Sequence, residues 1–444
     1  MPGDAPLVAP PVRARIDLLT SPFTRFAQME AAGGILLLAA TVIALVWANS
    51  PWKHSYHTVW EVDISLGIGR NVLTWSRHVW VNDGLMSIFF FVVGLEIKRE
   101  VLIGELRSFR RAVFPFVAAM GGCVLPAAIF LAVNHGTPEA NAWGIPMATD
   151  IAFALGVLTL LGNRAPISLK LFVAALAIVD DIFAVLVIAV FYTEHLQLIH
   201  LLFGAVGLAL AYAANKMGVR NRLIYALIGI PVWFAVRQSG VHATIAGVLM
   251  AFTIPCRSEI DRPYFMARMT RLLNRFATAE PNSNNAHAAI HSMERLCEGV
   301  ETPLNRIEHA LQPWVSFVIM PLFALSNAGV PVVGNVAAAA TNRVAIGVAL
   351  GLLLGKPFGI TLFSWIAERV GLVSRPRGTD WMQIFAASCI CGIGFTMSLF
   401  IAALALPEAR VLDLAKIGTL AASVIAGGAG SFFFLRMKRT QPAE

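Results

Sequence analysis

The sequence predicts an all-α polytopic membrane protein of about twelve transmembrane helices, and three observations carry that prediction. Only 14% of the 444 residues are charged against 57% hydrophobic, with a mean hydropathy of +0.70; a soluble domain carries about 25% charged residues. Apolar stretches of roughly 20 residues, long enough to cross a bilayer as helices, recur along the whole chain. The Lys and Arg residues gather between alternate stretches, the bias expected of loops facing the cytoplasm.

In chain order, residues 1–30 hold Pro, Arg, Asp and Ser but no continuous apolar core. They read as a cytoplasmic N-terminal segment and not as a cleavable signal peptide. The spans follow at 31–49, 82–98, 111–133, 143–161, 170–192, 198–215, 222–236, 239–255, 313–333, 342–367, 382–406 and 413–435. Between the first two, "VWEVDISLGIGRNVLTW" alternates too strongly for a membrane helix, so 51–80 is expected to be a hairpin-like periplasmic loop. The one long connection, 256–312, reads as polar helix and loop on the cytoplasmic side. Residues 31–437 form a single transmembrane domain, and 438–444 a cytoplasmic tail.

Placing the N-terminus in the cytoplasm puts 26 of the 34 Lys and Arg in cytoplasmic segments and seven on the opposite side; the residue left over, deep inside a span, is Lys356. Both termini are then cytoplasmic. The net charge of +8 is thereby explained by topology, and no nucleic-acid partner is expected. The five cysteines, Cys123, Cys256, Cys297, Cys389 and Cys391, have neither disulfide-framework nor zinc spacing. They are read as small apolar fillers.

The charges that remain inside the spans define the chemistry. Of 26 acids, Asp150, Asp180 and Asp181 lie deep, with Asp83 and Glu96 near the ends of one span. An ionisable side chain at mid-membrane costs at least roughly 2.5–3.5 kcal/mol on insertion scales, so it needs a partner, a cavity or a task. Asp180 and Asp181 are neighbours in "LAIVDDIFAVLVIAV" and project about 100° apart on a helix. One can therefore pair with a cation on another helix while the other faces a hydrated cavity.

Asp150 lies in "GIPMATDIAFALG", where Pro146 and the glycines interrupt a helix. A second interrupted stretch is "CICGIGFTMSLF", residues 389–400. Broken backbone inside a membrane is tolerated only where it is buried in protein or lines a cavity. Each break occupies the middle span of a three-span block, 111–192 and 342–435, which suggests a repeat. Partial charges at the broken helix ends call for Asp150 beside N-terminal ends and Lys356 beside C-terminal ends; Asp150 as an ion ligand next to Thr149 stays open. "GLLLGKPFG" around Lys356 is not a phosphate-binding loop, because only three residues separate its first glycines and Pro357 follows the Lys.

The strings "NDGLMSIFFFVVGLEIKRE", "ATDIAFALGVL", "LAIVDDIFAVLVIAVFYT", "PLFALSNAGV", "GKPFGI" and "CGIGFTMSLFIA" occur in this order between about residues 25 and 437. Together they resemble the NhaA family of sodium/proton antiporters, one of the families from which the rule about interrupted helices is drawn. The resemblance implies inverted repeats whose two interrupted helices cross at mid-membrane, and a homodimer in the bacterial inner membrane. It also implies export of sodium or lithium driven by entry of two protons per sodium, with no cofactor. Asp181 is then the principal carboxylate for the transported cation and proton. Asp180 is its companion in the same site, proposed to pair with Lys356. Asp150 and Lys356 balance the helix ends, and Thr149 lies beside the site. Glu96, Glu100, Glu308 and His309 match a pH-responsive cluster at the cytoplasmic mouth; Gln312 stands where a second histidine is expected.

Two other function classes compete with this reading. An intramembrane aspartyl protease needs opposed aspartates on different helices with Tyr-Asp and Gly-x-Gly-Asp contexts, whereas the contexts here are "ATD" and "VDD". The protein is accordingly not read as an enzyme. A sodium-coupled symporter on a related fold is the nearer rival, separated by whether protons move against sodium with no organic solute present. Nothing resembles a channel selectivity filter.

Overall fold

The computed structural model describes residues 32–437 except 69–70, 194–195, 281–282, 333 and 377. The expected terminal segments 1–30 and 438–444 lie outside the described residues. Helix α1 (Ala32–Ala48) is followed by a short polar helix α2 (Lys53–Glu61) and an antiparallel hairpin, β1 (Asp63–Ile68) and β2 (Asn71–Ser76), paired from Asp63↔Ser76 to Ile68↔Asn71. A π turn, Trp80–Leu85, leads into α3 (Met86–Leu102). Then come α4 (Phe109–Val133), α5 (Ile151–Leu160), α6 (Ile167–Phe191), α7 (Leu198–Lys216), α8 (Arg222–Gln238) and α9 (Ala243–Thr253).

The long connection folds into two helices, α10 (Arg262–Thr278) and α11 (Asn284–Val300), which pack on each other. Next, α12 (Pro303–Trp314) and α13 (Met320–Asn327) run continuously through a π turn at Val315–Ile319. After α14 (Val336–Thr341), α15 (Arg343–Leu350) joins α16 (Lys356–Arg369) through a third π turn, Gly351–Gly355. The chain ends with α17 (Trp381–Ile390), α18 (Phe395–Ala405) and α19 (Ala409–Arg436).

Helix occupies every predicted span. Among the described residues seven helices are long and apolar enough to cross a bilayer, and two bent pairs, α1 with α2 at 115° and α17 with α18 at 50°, pass the same test together. The boundary at 313 needs correction: Thr302 caps the helix by accepting from the Asn305 N–H, and Pro303 opens it, so the span begins ten residues earlier than its apolar run. Large apolar side chains are exposed over the outer helix faces, Val190 at 68%, Leu227 at 71% and Val424 at 74%. Lipid, not water, suits such a surface.

Between lipid-facing helices, dispersion and close backbone approach replace the hydrophobic drive, so small residues mark the tight contacts. The closest is α4 against α16. A Cβ on Gly121 would collide with the Gly359 carbonyl, and one on Gly355 would meet the Pro126 Cα at 2.6 Å. This contact fixes where Lys356, the residue after Gly355, enters the interior. At the other end of the molecule the hairpin is tied down by Arg237. Its guanidinium lies 3.8 Å over the Trp75 ring, and its Nε donates to Asp83 Oδ2 at 2.8 Å.

Candidate functional site

The two interrupted segments meet at their breaks. Residues 148–150 are extended between the 3₁₀ turn Ile145–Met147 and α5, and Cys391–Gly394 separate α17 from α18. The Asp150 N–H donates to Ile393 O at 2.7 Å, Thr149 Oγ1 to Cys391 O at 2.9 Å, and Ser398 Oγ to Ile145 O at 2.8 Å. Backbone freed by one break is thus satisfied by the other, which a buried break requires.

Asp150 is the N-cap of α5, its Oδ1 accepting from the Phe153 N–H at 3.2 Å. Its Oδ2 accepts from the Thr396 N–H at 3.2 Å and from the Thr396 hydroxyl, in the first turn of α18. One carboxylate, 1% exposed, therefore faces the positive ends of two helix dipoles. Both of its oxygens accept hydrogen bonds from helix N-terminal ends.

Asp180 and Asp181 sit on α6, 1% and 3% exposed. Lys356, fully buried at the start of α16, donates to Asp180 Oδ2 in an ion pair. The Thr149 hydroxyl shares its single proton between the same oxygen at 2.7 Å and Cys391 O at 2.9 Å, and Cys123 Sγ on α4 donates to Asp180 Oδ1 at 3.2 Å. Among the described hydrogen bonds Lys356 makes none to carbonyls at the end of α17. Asp181 differs from both other acids: among the described residues, no group donates a hydrogen bond to it. Four elements separated in the sequence by up to 233 residues thus converge on Asp180 and leave its neighbour Asp181 uncommitted.

Toward the other end of α3, Glu308 on α12 is buried and paired with Arg99, which also lies 3.5 Å from Glu100. Glu308 Oε2 is buried without a partner among the described residues. Glu96 lies one turn along α3 from this group; His309 and Gln312 are exposed on α12. Glu308 and His309 therefore belong to the helix of the ninth span and not to a loop. Sequence reasoning missed Arg99, although it lies between two of the candidate acids in "GLEIKRE". It also missed the buried cations Lys98, whose Nζ donates to Phe252 O at 2.7 Å, and Lys416.

The cysteines need correction as well. Cys389 and Cys391 are buried fillers, but Cys297 is exposed and Cys256 half-buried. Cys123 is a hydrogen-bond donor to a buried carboxylate, a role its apolar sequence context could not signal.

The chain is similar to known proteins over nearly its whole length. The family model described as Na+/H+ antiporter 1 matches residues 24–434. The protein named Na(+)/H(+) antiporter NhaA from Koribacter versatilis is 59% identical over 429 residues, 97% of this chain and 94% of that protein. The NhaA of Oleidesulfovibrio alaskensis is 48% identical over 450 residues, covering 100% and 98% of the two chains. An NhaA 2 of Syntrophotalea carbinolica is 48% identical over 422 residues, 94% and 96%.

Proposed function

The chain belongs to the Na+/H+ antiporter 1 family, and from that premise we propose that it exports sodium or lithium in exchange for protons, with Asp181 carrying each in turn. The observation that carries the assignment is the difference between the buried acids. Asp150 is spent on two helix ends and Asp180 on Lys356, Thr149 and Cys123, while Asp181 is buried and uncommitted.

Sodium is a hard cation that takes oxygen ligands, as its divalent counterparts do. A carboxylate deep in the membrane is stable protonated or cation-bound, and unstable bare. Binding one species therefore displaces the other, which couples the two flows at a single group. The fixed Asp180–Lys356 pair keeps a second charge close without competing for the proton. Asp180 contributes to the cation only when this pair loosens. Asp181 alone would exchange one proton for one sodium with no net charge moved, so the second proton of a two-for-one cycle is assigned to the Asp180–Lys356 pair when it loosens; the cycle then moves net charge, and a membrane potential drives it by roughly 2.3 kcal/mol per charge per 100 mV. The proposal includes a homodimer in the bacterial inner membrane; the distribution of Lys and Arg supports placing both termini in the cytoplasm. It also makes Glu96, Arg99, Glu100, Glu308 and His309 the pH-responsive mouth.

The test is exchange by purified protein in proteoliposomes with no organic solute present. Sodium-dependent proton movement is expected from the parent protein. Asp181→Asn, which keeps the volume but cannot cycle a proton, should abolish it. Near-normal exchange by a well-folded Asp181→Asn protein would overturn the assignment.

A further inference from the structure

Within the antiport reading, on which this inference rests, we infer that Cys123 is a positioning residue: its thiol holds the Asp180 carboxylate turned away from the cation at Asp181. The two oxygens of Asp180 are not equally held. Oδ2 receives both the Lys356 ammonium and the Thr149 hydroxyl, whereas Oδ1 has one described donor, the Cys123 thiol at 3.2 Å. Cys123 itself packs among Ala127, Met147 and Phe183, so that side of the carboxylate is apolar apart from the sulfur. A buried carboxylate oxygen with no donor is expensive to leave as it is. Its neighbour along α6 carries the transported ion, and a cation offers the nearest compensation.

Removing the S–H therefore gives Oδ1 a reason to turn toward the ion. Two carboxylates would then hold the cation where one held it before, so it binds more tightly and leaves more slowly. The thiol is suited to the opposite task. It is a weak donor, strong enough to orient the oxygen in an apolar pocket and too weak to add a second committed charge.

The experiment compares the full-length protein with Cys123→Val, which removes the donor, and Cys123→Ser, which restores one. Exchange is measured against sodium concentration in proteoliposomes. For Cys123→Val the apparent KM for sodium and the maximal rate should both fall by about tenfold, the factor that one hydrogen bond's free energy corresponds to. Cys123→Ser should return both toward the parent values. Unchanged KM in Cys123→Val, or a Cys123→Ser protein that behaves like Cys123→Val, overturns the inference, because side-chain volume and not donation would then matter. Failure of the parent protein to exchange sodium for protons would instead overturn the antiport reading. Should Cys123→Val not fold, infrared spectroscopy decides. The S–H stretch isolated by subtracting the Cys123→Ser spectrum should lie below that of a free thiol and move up in Asp180→Asn. A band at the free-thiol position in the parent protein refutes the hydrogen bond.

Discussion

Exchanging Lys356 for Gln removes the cation paired with Asp180, and its cost follows from the surroundings. Both partners are essentially inaccessible, Lys356 at 0% and Asp180 at 1%. Water cannot replace what the mutation takes away. Breaking a buried pair by deleting one partner costs about 3–5 kcal/mol. Lys356→Gln should fall at the lower end, about 3 kcal/mol, since Thr149 and Cys123 still donate to the carboxylate. Asp180→Asn should fall at the upper end, because Lys356 has no second described acceptor. The double variant leaves two neutral amides in contact. Its loss should be smaller than the sum of the single losses by about 1–3 kcal/mol, the coupling of residues that touch. The assay is equilibrium or thermal unfolding of the four purified proteins in one detergent, read by circular dichroism. Strict additivity would refute the reasoning, for it would mean the pair contributes nothing that either residue lacks alone. Transport should stay impaired in the double variant even where stability returns, since a neutral pair restores packing but not the charge beside Asp181.

Three further outcomes are expected. Asp150→Ala uncaps α5 and α18 together and should cost about 1–2 kcal/mol per cap, with Thr396→Val costing a smaller part; equal melting temperatures for Asp150→Ala and the parent would exclude the double-cap role. His78, outside the spans, accepts at Nε2 from the Asn82 amide at 2.8 Å and donates from Nδ1 to Ser326 Oγ at 2.9 Å. That geometry needs the neutral ring. Burial first, then nearby Lys416, lowers the pKa of His78 from 6.5 to about 4. The folded state thus resists protonation more than the unfolded chain, and stability present above pH 6.5 should be lost as pH falls toward 4, by about 3 kcal/mol. Melting curves of His78→Gln should be flatter than the parent's across that window, and identical slopes would count against it. Finally, Gln312→His adds a near-neutral titration to the mouth and should steepen the rise of exchange with pH while leaving sodium affinity at high pH unchanged. Superimposable profiles would remove Gln312 from the pH response.

The spans, the hairpin region and the deep acids were legible because each is a local property. Twenty apolar residues report their solvent, and an Asp amid them reports a task wherever the chain later goes. The two breaks were legible for the same reason, through Pro146, Gly392 and Gly394. What could not be read is which deep group meets which. Lys356 is 176 residues from Asp180, Arg99 is 209 from Glu308, and Cys123 is 57 from its acceptor. The start of α12 was present as Thr302-Pro303 but was outweighed by the polar character of the turn that follows. The three π turns gave no signal at all. One extra residue in a helical turn changes the rotation of everything after it without changing composition, and Gly351–Gly355 does this immediately before Lys356.

The crossing of the two broken helices has a consequence for motion. Five hydrogen bonds tie the breaks to each other: Asp150 N to Ile393 O, Thr149 Oγ1 to Cys391 O, Ser398 Oγ to Ile145 O, and the Thr396 amide and hydroxyl to Asp150. Sliding one break past the other would strand those groups in a medium with no water to receive them. A cycle that presents Asp181 first to one face of the membrane and then to the other therefore has two choices. It can carry both breaks as a single piece, with the surrounding helices moving against it, or it can change which face the cavity opens to while the crossing stays still. Either way the weakest-looking stretch of each helix, where the backbone leaves its regular path, is the part of the protein that moves least within itself.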